Sequence, residues 1–312
     1  MADKTSVAVL GAPTSGKTTF LAALSIALAQ RDDDWRVIGA DTSSRERLVE
    51  LTRDLAARSF PEPTAGIDQF RWMLVGTALR TVQGRWFKRQ QERTAMIGLD
   101  FADPSGEIAT DHRRHAYRDS LIASLIGSRG IVFLFDPIIE FEQGETFAHT
   151  FGIIAELAQR MLESNDLVDG YLPHYVAVCI SKFDEYKVLR SAERLKLVTL
   201  DTSDARGFPR VEDDDAREFF AHLCKVSRSG NADLVLKTIE RHFRPDRIRY
   251  FVTSAIGFYL DPGTDTFDAK DYQNRLPPDS QDHSKARIRG PIHPINVVEP
   301  LLWLSERLTG DS

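Results

Sequence analysis

Short apolar runs and segments with helical periodicity alternate along much of the chain. The apolar runs have the length of strands, and apolar residues recurring every three or four positions between them predict helices. A shorter apolar piece, at residues 35–38, lies between the first two predicted helices. The predicted strands are residues 7–10, 70–75, 95–103, 131–136, 175–180 and 249–252, and the predicted helices are residues 18–30, 45–58 and 147–161.

The later part of the chain is less regular. Residues 185–245 are acidic and helical in pattern, which predicts a helical insertion. Residues 258–294 are rich in Asp, Pro and Gly without periodicity, and a long segment of this kind is usually functional or mobile. Apolar residues at helical spacing predict a closing amphipathic helix over residues 296–309. We therefore expect one enlarged domain over residues 1–312.

Composition narrows the class of protein. The chain has 312 residues and 42% hydrophobic content, enough for a substantial core. A net charge of −6 argues against a chain-wide nucleic-acid or anionic-membrane surface, so nucleic acid is not the expected partner. Cys179 lies in a strand-like run and Cys224 in a helical segment, so neither a disulfide framework nor a zinc cluster is indicated. The start of the chain has no signal-peptide pattern, and no apolar run reaches membrane-spanning length, so we expect a cytoplasmic protein.

The first predicted strand leads into a P-loop, Gly11-x-x-x-x-Gly16-Lys17-Thr18, and a helix follows at once. The glycines let backbone N–H groups turn inward around an anion, and the positive end of the helix dipole adds to them. Lys17 would neutralise β- and γ-phosphate charge, and the Thr18 hydroxyl would bind Mg²⁺. The expected phosphate-binding residues are Gly11, Thr14, Ser15, Gly16, Lys17, Thr18 and Thr19.

Two acidic residues compete for the place beside the metal ion. Asp103 ends an apolar strand and begins Asp-Pro-Ser-Gly106, where a carboxylate can hold the water shell of Mg²⁺ and the Gly106 N–H can meet a γ-phosphate. Asp136 also follows an apolar strand and is the rival Walker-B acid. We favour Asp103 because of the glycine that follows it.

The strand at residues 175–180 leads into Ser181-Lys182-Phe183-Asp184. Guanine presents an N1–H and an exocyclic amine side by side, and one carboxylate can accept both, whereas adenine offers no such pair of donors. A buried acceptor facing the wrong base is left unpaired, so such a site discriminates strongly. The stem of Lys182 would cover the base. Ser254 and Ala255 follow the last strand, and the Ala255 N–H would contact the purine O6.

Three polar segments have more than one interpretation. Residues 59–66 contain two prolines and Thr64, and form either a nucleotide-sensing switch loop in which Thr64 reaches Mg²⁺ or an ordinary connection. Residues 80–93 mix basic and aromatic side chains. Such a segment can bind nucleic acid or a phosphorylated partner, but it is more often the solvated tip of a hairpin. Residues 112–115, His-Arg-Arg-His, are metal ligands, an arginine finger or a solvated helix start, and we favour the last.

In this order, the motifs resemble the five sequence boxes of the Ras-like, TRAFAC-class GTPases. The boxes are residues 11–18, Thr64, residues 103–106, residues 181–184 and residues 253–255. The Pro-x-x-Thr, Asp-Pro-Ser-Gly-Glu and Pro-Ile-Asn-Val-Val-Glu-Pro segments look like a bacterial subgroup, the predicted double-GTPases and von Willebrand/AAA-associated conflict-system GTPases. The resemblance implies an α/β fold with a six-stranded, mainly parallel sheet and helices on both faces. The nucleotide would lie at the carboxyl ends of the strands.

The resemblance also implies a set of roles. GTP or GDP would be the bound nucleotide, and Mg²⁺ would be held by Thr18, Thr64 and Asp103. Lys17, Thr64, Gly106 and Glu107 would act in hydrolysis. A protein effector or regulator would bind the switch loops.

Two residues depart from the family pattern. Glu107 stands where the family usually has Gln or His to orient the attacking water, so we expect slow or partner-assisted hydrolysis. Ser181 replaces the usual Asn and lacks an amide that could brace the P-loop. Three hypotheses follow: a GTPase switch, a GTP-binding interaction module with negligible turnover, and an ATP-using kinase or ATPase supported by the P-loop alone.

Overall fold

The fold is described from a computed structural model. The described residues are 5–61, 67–83, 88–104, 111–144, 146–202, 204–226, 232–277 and 286–310. Thr64, Gly106 and Glu107 lie outside them, and the side chains of Asp103 and of residues 112–114 are also outside the described part.

Strands and helices occur in the order that the sequence pattern predicts, with additions. The strands are β1 (Ser6–Gly11), β2 (Arg36–Gly39), β3 (Ile67–Gln83), β4 (Lys88–Pro104), β5 (Gly130–Phe135), β6 (Tyr175–Ile180), β7 (Val198–Leu200), β8 (Pro209–Val211), β9 (Ile248–Val252), β10 (Arg275–Leu276) and β11 (Arg287–Ile288). The helices are α1 (Lys17–Ala29), α2 (Thr42–Ala56), α3 (Asp111–Gly127), α4 (Pro137–Glu142), α5 (Thr146–Glu163), α6 (Tyr186–Arg194), α7 (Asp213–Lys225), α8 (Asp233–His242) and α9 (Glu299–Gly310).

The main sheet has the strand order β2-β3-β4-β1-β5-β6-β9. Strands β4, β1, β5, β6 and β9 are mutually parallel, whereas β2 and β3 pair antiparallel with their neighbours. The α/β fold with a mainly parallel sheet is therefore confirmed. Because β4 and β5 flank β1, the loops that follow the parallel strands meet at one edge of the sheet.

The sheet has seven strands rather than the six expected. The additional strand is β2, which comes from the short apolar piece between the first two predicted helices. It is an edge strand whose residues alternate between exposed and half-buried, so its sequence signal is weak. The ring of Trp35, just before β2, lies against Gly76, where a Cβ atom would be 2.3 Å from the ring. That contact anchors the additional strand to β3.

Helices cover both faces of the sheet, as expected. On one face α3, α5, α6, α7 and α8 bury their apolar residues against β5, β6 and β9. On the other face α1, α2 and α9 bury theirs against β1, β3 and β4. Residues 185–245 belong to the first of these cores, because Phe219 and Phe220 of α7 are fully buried in it. Their description as an insertion, and the single-domain boundary, remain predictions.

Strands β3 and β4 are much longer than predicted. They pair without interruption from Ile67 with Pro104 to Gln83 with Lys88. Their neighbours pair with them only at residues 72–75 and 98–100, so residues 77–83 and 88–94 form a two-stranded arm beyond the sheet, at the end away from the P-loop. Of the basic and aromatic segment 80–93, residues 80–83 and 88–93 lie on this arm, and residues 84–87 are outside the described part.

The closing helix begins three residues later than predicted. Asn296 has a φ of 52°, which is outside the helical region, and its side-chain amide donates to the Val252 carbonyl at 3.2 Å. Helix α9 therefore starts at Glu299. Residues 258–294 were predicted to be irregular, but they contain the short antiparallel strands β10 and β11.

Candidate nucleotide-binding site

The phosphate loop has the backbone geometry that its glycines predict. Gly16 has a φ of 87° and Thr14 a φ of 62°, both left-handed, and α1 begins at the next residue, Lys17. At Gly11 a Cβ atom would lie 2.7 Å from the Ser15 Oγ and 3.0 Å from the Leu134 carbonyl oxygen. A glycine is therefore required at the start of the loop, and a left-handed turn at its end.

Two buried polar side chains indicate an anion at this loop. The Lys17 Nζ donates to the carbonyl oxygens of Gly11 at 3.2 Å and Ala12 at 2.9 Å, so the ammonium is fixed over the start of the loop. The Ser15 hydroxyl is buried, and among the described residues it has no hydrogen-bond partner. Buried hydroxyls are normally bonded, so a phosphate oxygen would satisfy it. The residues present fit a nucleotide phosphate.

The acidic residue of the second motif is buried at the other end of the site. The Asp184 Oδ1 accepts a hydrogen bond from the Ser254 hydroxyl at 2.5 Å, and the Ser254 Oγ accepts one from the Gly257 N–H at 2.8 Å. Burial raises the pKa of Asp184 to about 6, although the bond from Ser254 acts in the opposite direction. The carboxylate is thus held rigidly and is mostly ionised at neutral pH.

Lys182 forms an ion pair with Asp136, the alternative to Asp103 as the acid beside the metal ion. Lys182 has a φ of 59°, and its Nζ lies 2.6 Å from the Asp136 Oδ2. The other carboxylate oxygen of Asp136 accepts from the N–H groups of Ile138 at 2.9 Å and Ile139 at 3.2 Å and so caps α4. Asp136 is thus held by an ion pair and by the start of α4, and the preference for Asp103 as the acid beside the metal stays a prediction.

Ser181 does not contact the phosphate loop through its side chain in the hydrogen bonds described. Its hydroxyl donates to the Phe135 carbonyl at 3.0 Å, at the end of the neighbouring strand β5. The expectation that a serine here lacks the brace that an asparagine would supply stays a prediction.

A cavity of about 320 Å³ joins the two motifs. Gly11, Lys17, Thr18 and Ser254 are not among the residues that line it. The predicted site residues that line the cavity are Thr14, Ser15, Gly16, Thr19, Ser181, Lys182, Asp184 and Ala255.

Several lining residues were not predicted from the sequence. For Ser59, Phe60 and Pro61 the one signal was their position in the proposed switch loop, residues 59–66. Arg275 had none, because a long-range strand pairing brings it to the site. These additional lining residues include Phe20, Ser59, Phe60, Pro61, Glu185, Arg275 and Ala286.

A histidine from α5 lies close to the phosphate loop. Burial lowers the pKa of His149 to about 4, and the positive charges of Lys17 and Arg118 act in the same direction. Its Nε2 is buried and has no hydrogen-bond partner among the described residues. The imidazole is therefore neutral at physiological pH. Sequence reasoning missed it because the helix was read as core from its aromatic residues.

Other predicted features are described only in part. Helix α3 begins at Asp111, so the His-Arg-Arg-His segment is a helix start, and His115 is exposed. Among the described residues no group of three or more His, Cys, Asp or Glu side chains is arranged to hold a metal ion. Within the same part of the chain, none of the helices combines the length and apolar character needed to cross a bilayer.

Taken together, the strand order around β1, the phosphate loop and the base-side loops define a Ras-like P-loop fold. The resemblance drawn from the motifs is thus confirmed for the fold.

The comparisons with known proteins give distant likenesses. No family model and no curated protein matches the chain. Similar solved structures include Aquifex aeolicus Era bound to GDP and AlF4⁻, with 15% identity over 80% of this chain and 50% of that chain and a TM-score of 0.29. Sup35 complexed with GDP has 12% identity over 83% and 40%, with a TM-score of 0.31. The SRb-GTP/SRX complex of the signal recognition particle receptor from Chaetomium thermophilum has 10% identity over 82% and 92%, with a TM-score of 0.36. This chain thus spans half or less of the Era and Sup35 chains. The comparisons do not support the narrower resemblance to the conflict-system GTPases.

Proposed function

We propose that this chain is a guanine-nucleotide-binding switch that holds GTP or GDP with Mg²⁺ and hydrolyses GTP slowly or with the help of a partner. The observation that carries the proposal is the single cavity with Ser15 and Gly16 at one end and Asp184 at the other. One nucleotide would place its phosphates and its base at these two ends.

The phosphate end supplies positive charge and hydrogen-bond donors. The Lys17 ammonium would bind the β- and γ-phosphates, and the start of α1 directs backbone N–H groups and a positive dipole end at them. The buried Ser15 hydroxyl adds a donor. These contacts do not depend on the identity of the base, so this half of the site accounts for affinity.

The base end accounts for selectivity. Ionised Asp184 accepts hydrogen bonds only, which suits the N1–H and exocyclic amine of guanine. With adenine bound, the buried carboxylate would face another acceptor and would be left without a donor. This loss of binding free energy would make the site discriminate strongly against adenine. The stem of Lys182 and the ring of Phe60 line the same cavity and would cover the base.

Magnesium would be bound by the Thr18 hydroxyl, with Asp103 in its water shell and Thr64 completing the set when the triphosphate is present. The ion would neutralise charge on the β- and γ-phosphate oxygens. The chain contributes by fixing Thr18 in the first turn of α1 and Asp103 at the end of the neighbouring strand β4.

Hydrolysis of GTP would depend on the chemistry of Glu107. A carboxylate at Glu107 would repel γ-phosphate oxygens, so turnover would depend on an arginine supplied by a partner, which is worth ~10³ to 10⁵ in rate in such enzymes. Glu107 equally motivates the second candidate, a GTP-binding interaction module without turnover. In both cases a protein effector or regulator would recognise the switch loops in the triphosphate state.

The test begins with the nucleotide that co-purifies with the protein, identified by chromatography with its phosphate count. We expect GDP or GTP, released on denaturation in about equal molar amount to the protein. Lys17→Ala should abolish retention, whereas Lys237→Ala, at an exposed lysine on α8, should not change it. Retention of ADP or ATP in place of guanine nucleotides would contradict the proposal.

Phosphate release from GTP with Mg²⁺, compared with release from ATP, separates the candidates. Slow release from GTP alone supports the switch. Tight retention of GTP without release, even with candidate partners, supports the interaction module. Equal release from ATP and GTP contradicts both.

A further inference from the structure

The segment that the sequence showed only as irregular forms one wall of the cavity. Within it, residues 271–277 and 286–291 contain β10 and β11 and are called the strap below. Asn274 is fully buried, and its side chain holds the strap in place. Its side-chain amide donates to the carbonyls of Ile256 and Pro291, both at 3.1 Å, and its Oδ1 accepts from the Gly290 N–H at 2.8 Å. Since Ile256 lies just beyond the base-side loop, the strap is fixed to that loop.

A second attachment joins the strap to the start of the proposed switch loop, residues 59–66. Ser59 and Arg287 form an antiparallel bridge, and the Ile288 N–H donates to the Arg58 carbonyl at 3.2 Å. Ser59 and the two residues after it line the cavity. One segment thus contacts both the base-recognition side and the switch side of the site.

The third contact crosses to the base end of the cavity. The Arg275 guanidinium donates to the Glu185 Oε1 at 3.0 Å, and both residues line the cavity. Glu185 directly follows Asp184, so the ion pair lies beside the proposed base contact. The Arg275 side chain is 50% exposed and that of Glu185 is 19% exposed. An ion pair with this exposure contributes little to folding stability, so it can open and reform easily.

The outer side of the strap is held more firmly. The Arg289 guanidinium stacks over the Tyr259 ring at 3.5 Å and forms two hydrogen bonds with the Asp271 carboxylate. Planar, bidentate and stacked contacts of this kind fix an arginine in place. The strap therefore has a rigid base and one easily opened pair at the cavity.

We propose that Arg275 and Glu185 close the base end of the cavity over a bound nucleotide, so that the strap sets how long the nucleotide stays bound. The inference rests on the proposed function for the identity of the ligand. Arg275 is then a residue for nucleotide retention, acting on the release rate, while Asp184 selects the base.

Release of tritiated GDP into excess unlabelled GDP tests this directly. Arg275→Ala should raise the dissociation rate about tenfold and change the association rate by less than about twofold, since such contacts act mainly on dissociation. Arg217→Ala is the matched control, because Arg217 forms an exposed ion pair with Glu240 on α7 and α8, away from the cavity. Equal release rates for Arg275→Ala and the wild-type protein would overturn the proposal.

Tritiated ADP, measured in parallel, separates the two proposals. If the wild-type protein retains ADP as well as GDP, the guanine preference fails, yet the effect of Arg275→Ala on either nucleotide still decides the role of the strap. If the wild-type protein retains neither nucleotide, both proposals are overturned.

A reversible cross-link tests the strap without weakening it. Ser59→Cys combined with Arg287→Cys places two thiols on bridged residues, at a backbone separation that suits a disulfide. The native Cys179 and Cys224 are buried and would not compete. Oxidation should slow GDP release several-fold, and a reductant should restore the original rate. Identical rates in the oxidised and reduced protein, or failure of the cross-link to form, would overturn the proposal.

Discussion

The Ser254 hydroxyl donates to the Asp184 carboxylate at 2.5 Å and thereby joins the two loops of the base end. Asp184 follows β6 and Ser254 follows β9, its neighbour in the sheet. The Gly257 N–H in turn donates to the Ser254 Oγ, which orients the hydroxyl toward the carboxylate. The bond engages Oδ1, and under the proposed function the carboxylate would accept the two guanine donors with its remaining lone pairs.

Ser254→Ala should therefore weaken GDP binding without abolishing it. We expect a loss of about 3- to 10-fold in affinity, which corresponds to the usual net contribution of one hydrogen bond, about 0.5 to 1.5 kcal/mol. The bond also lowers the pKa of Asp184. Its removal should therefore raise the pH below which the affinity for GDP falls (the acid limb of the binding profile). Isothermal titration with GDP at several pH values would measure both effects. Unchanged affinity and an unchanged acid limb would show that the bond is not part of base recognition.

The affinity for GDP should fall as the pH drops below about 6. The pKa of Asp184 is about 6 in the free protein, and only the ionised form accepts both guanine donors. Protonation must therefore be reversed on binding, and we expect a loss of about tenfold for each pH unit below 6. Titrations at pH 5 and pH 7 would test this. Asp184→Asn is the control, because its binding should lack this acid limb.

The phosphate loop and the two base-side loops could be predicted because each is a local motif that directly follows an apolar strand. Such motifs need only a strand, a turn and the right side chains in sequence. The strap could not be predicted in this way, because β10 and β11 have two residues each and depend on pairing with Ser59, far away in sequence. The edge strand β2 could not be predicted from the hydrophobic pattern, because the strand buries neither of its faces fully. His149 was missed since a helix pattern shows which residues are apolar, not which end of the helix meets the phosphate loop.

Asp184→Asn should stabilise the nucleotide-free protein. The folded pKa of Asp184 is above the ordinary value of 3.8, so the buried carboxylate costs stability at pH 7. This cost decreases as the pH falls below about 6 and is gone below about 3.8. A neutral amide removes it, and we expect a gain of about 1 to 3 kcal/mol at pH 7 in urea unfolding. The same change should shift base preference from guanine toward xanthine, whose C2 carbonyl accepts from an amide. A protein that is no more stable and still prefers guanine would contradict this account of Asp184.

Gly11→Ala should remove nucleotide binding while leaving most of the fold intact. The added Cβ would lie 2.7 Å from the Ser15 Oγ and 3.0 Å from the Leu134 carbonyl, so the loop has to shift away from β5. The shift would move the two carbonyls that hold the Lys17 ammonium. Equilibrium binding of GDP and a circular dichroism spectrum would separate the two effects. Gly127→Ala is the control, because nothing lies within 4 Å of a Cβ atom there.

His149 should make the protein less stable in mild acid. Burial holds its pKa at about 4 in the folded state, whereas the unfolded chain takes up a proton near pH 6.5. Between these values the unfolded state binds more protons, so the free energy of unfolding falls as the pH decreases from about 6.5 to 4. His149→Gln should remove up to about 3 kcal/mol of this loss at pH 4. Urea unfolding at pH 7 and pH 4.5 would measure it.

His174 supplies a matched control. Burial also lowers the pKa of His174 to about 4, and this residue lies away from the phosphate loop, so His174→Gln should flatten the pH dependence of stability similarly. Only the His149 change should also alter GDP affinity, since Lys17 is among the charges that act on it. Equal effects of both changes on GDP binding would show that His149 contributes to stability alone.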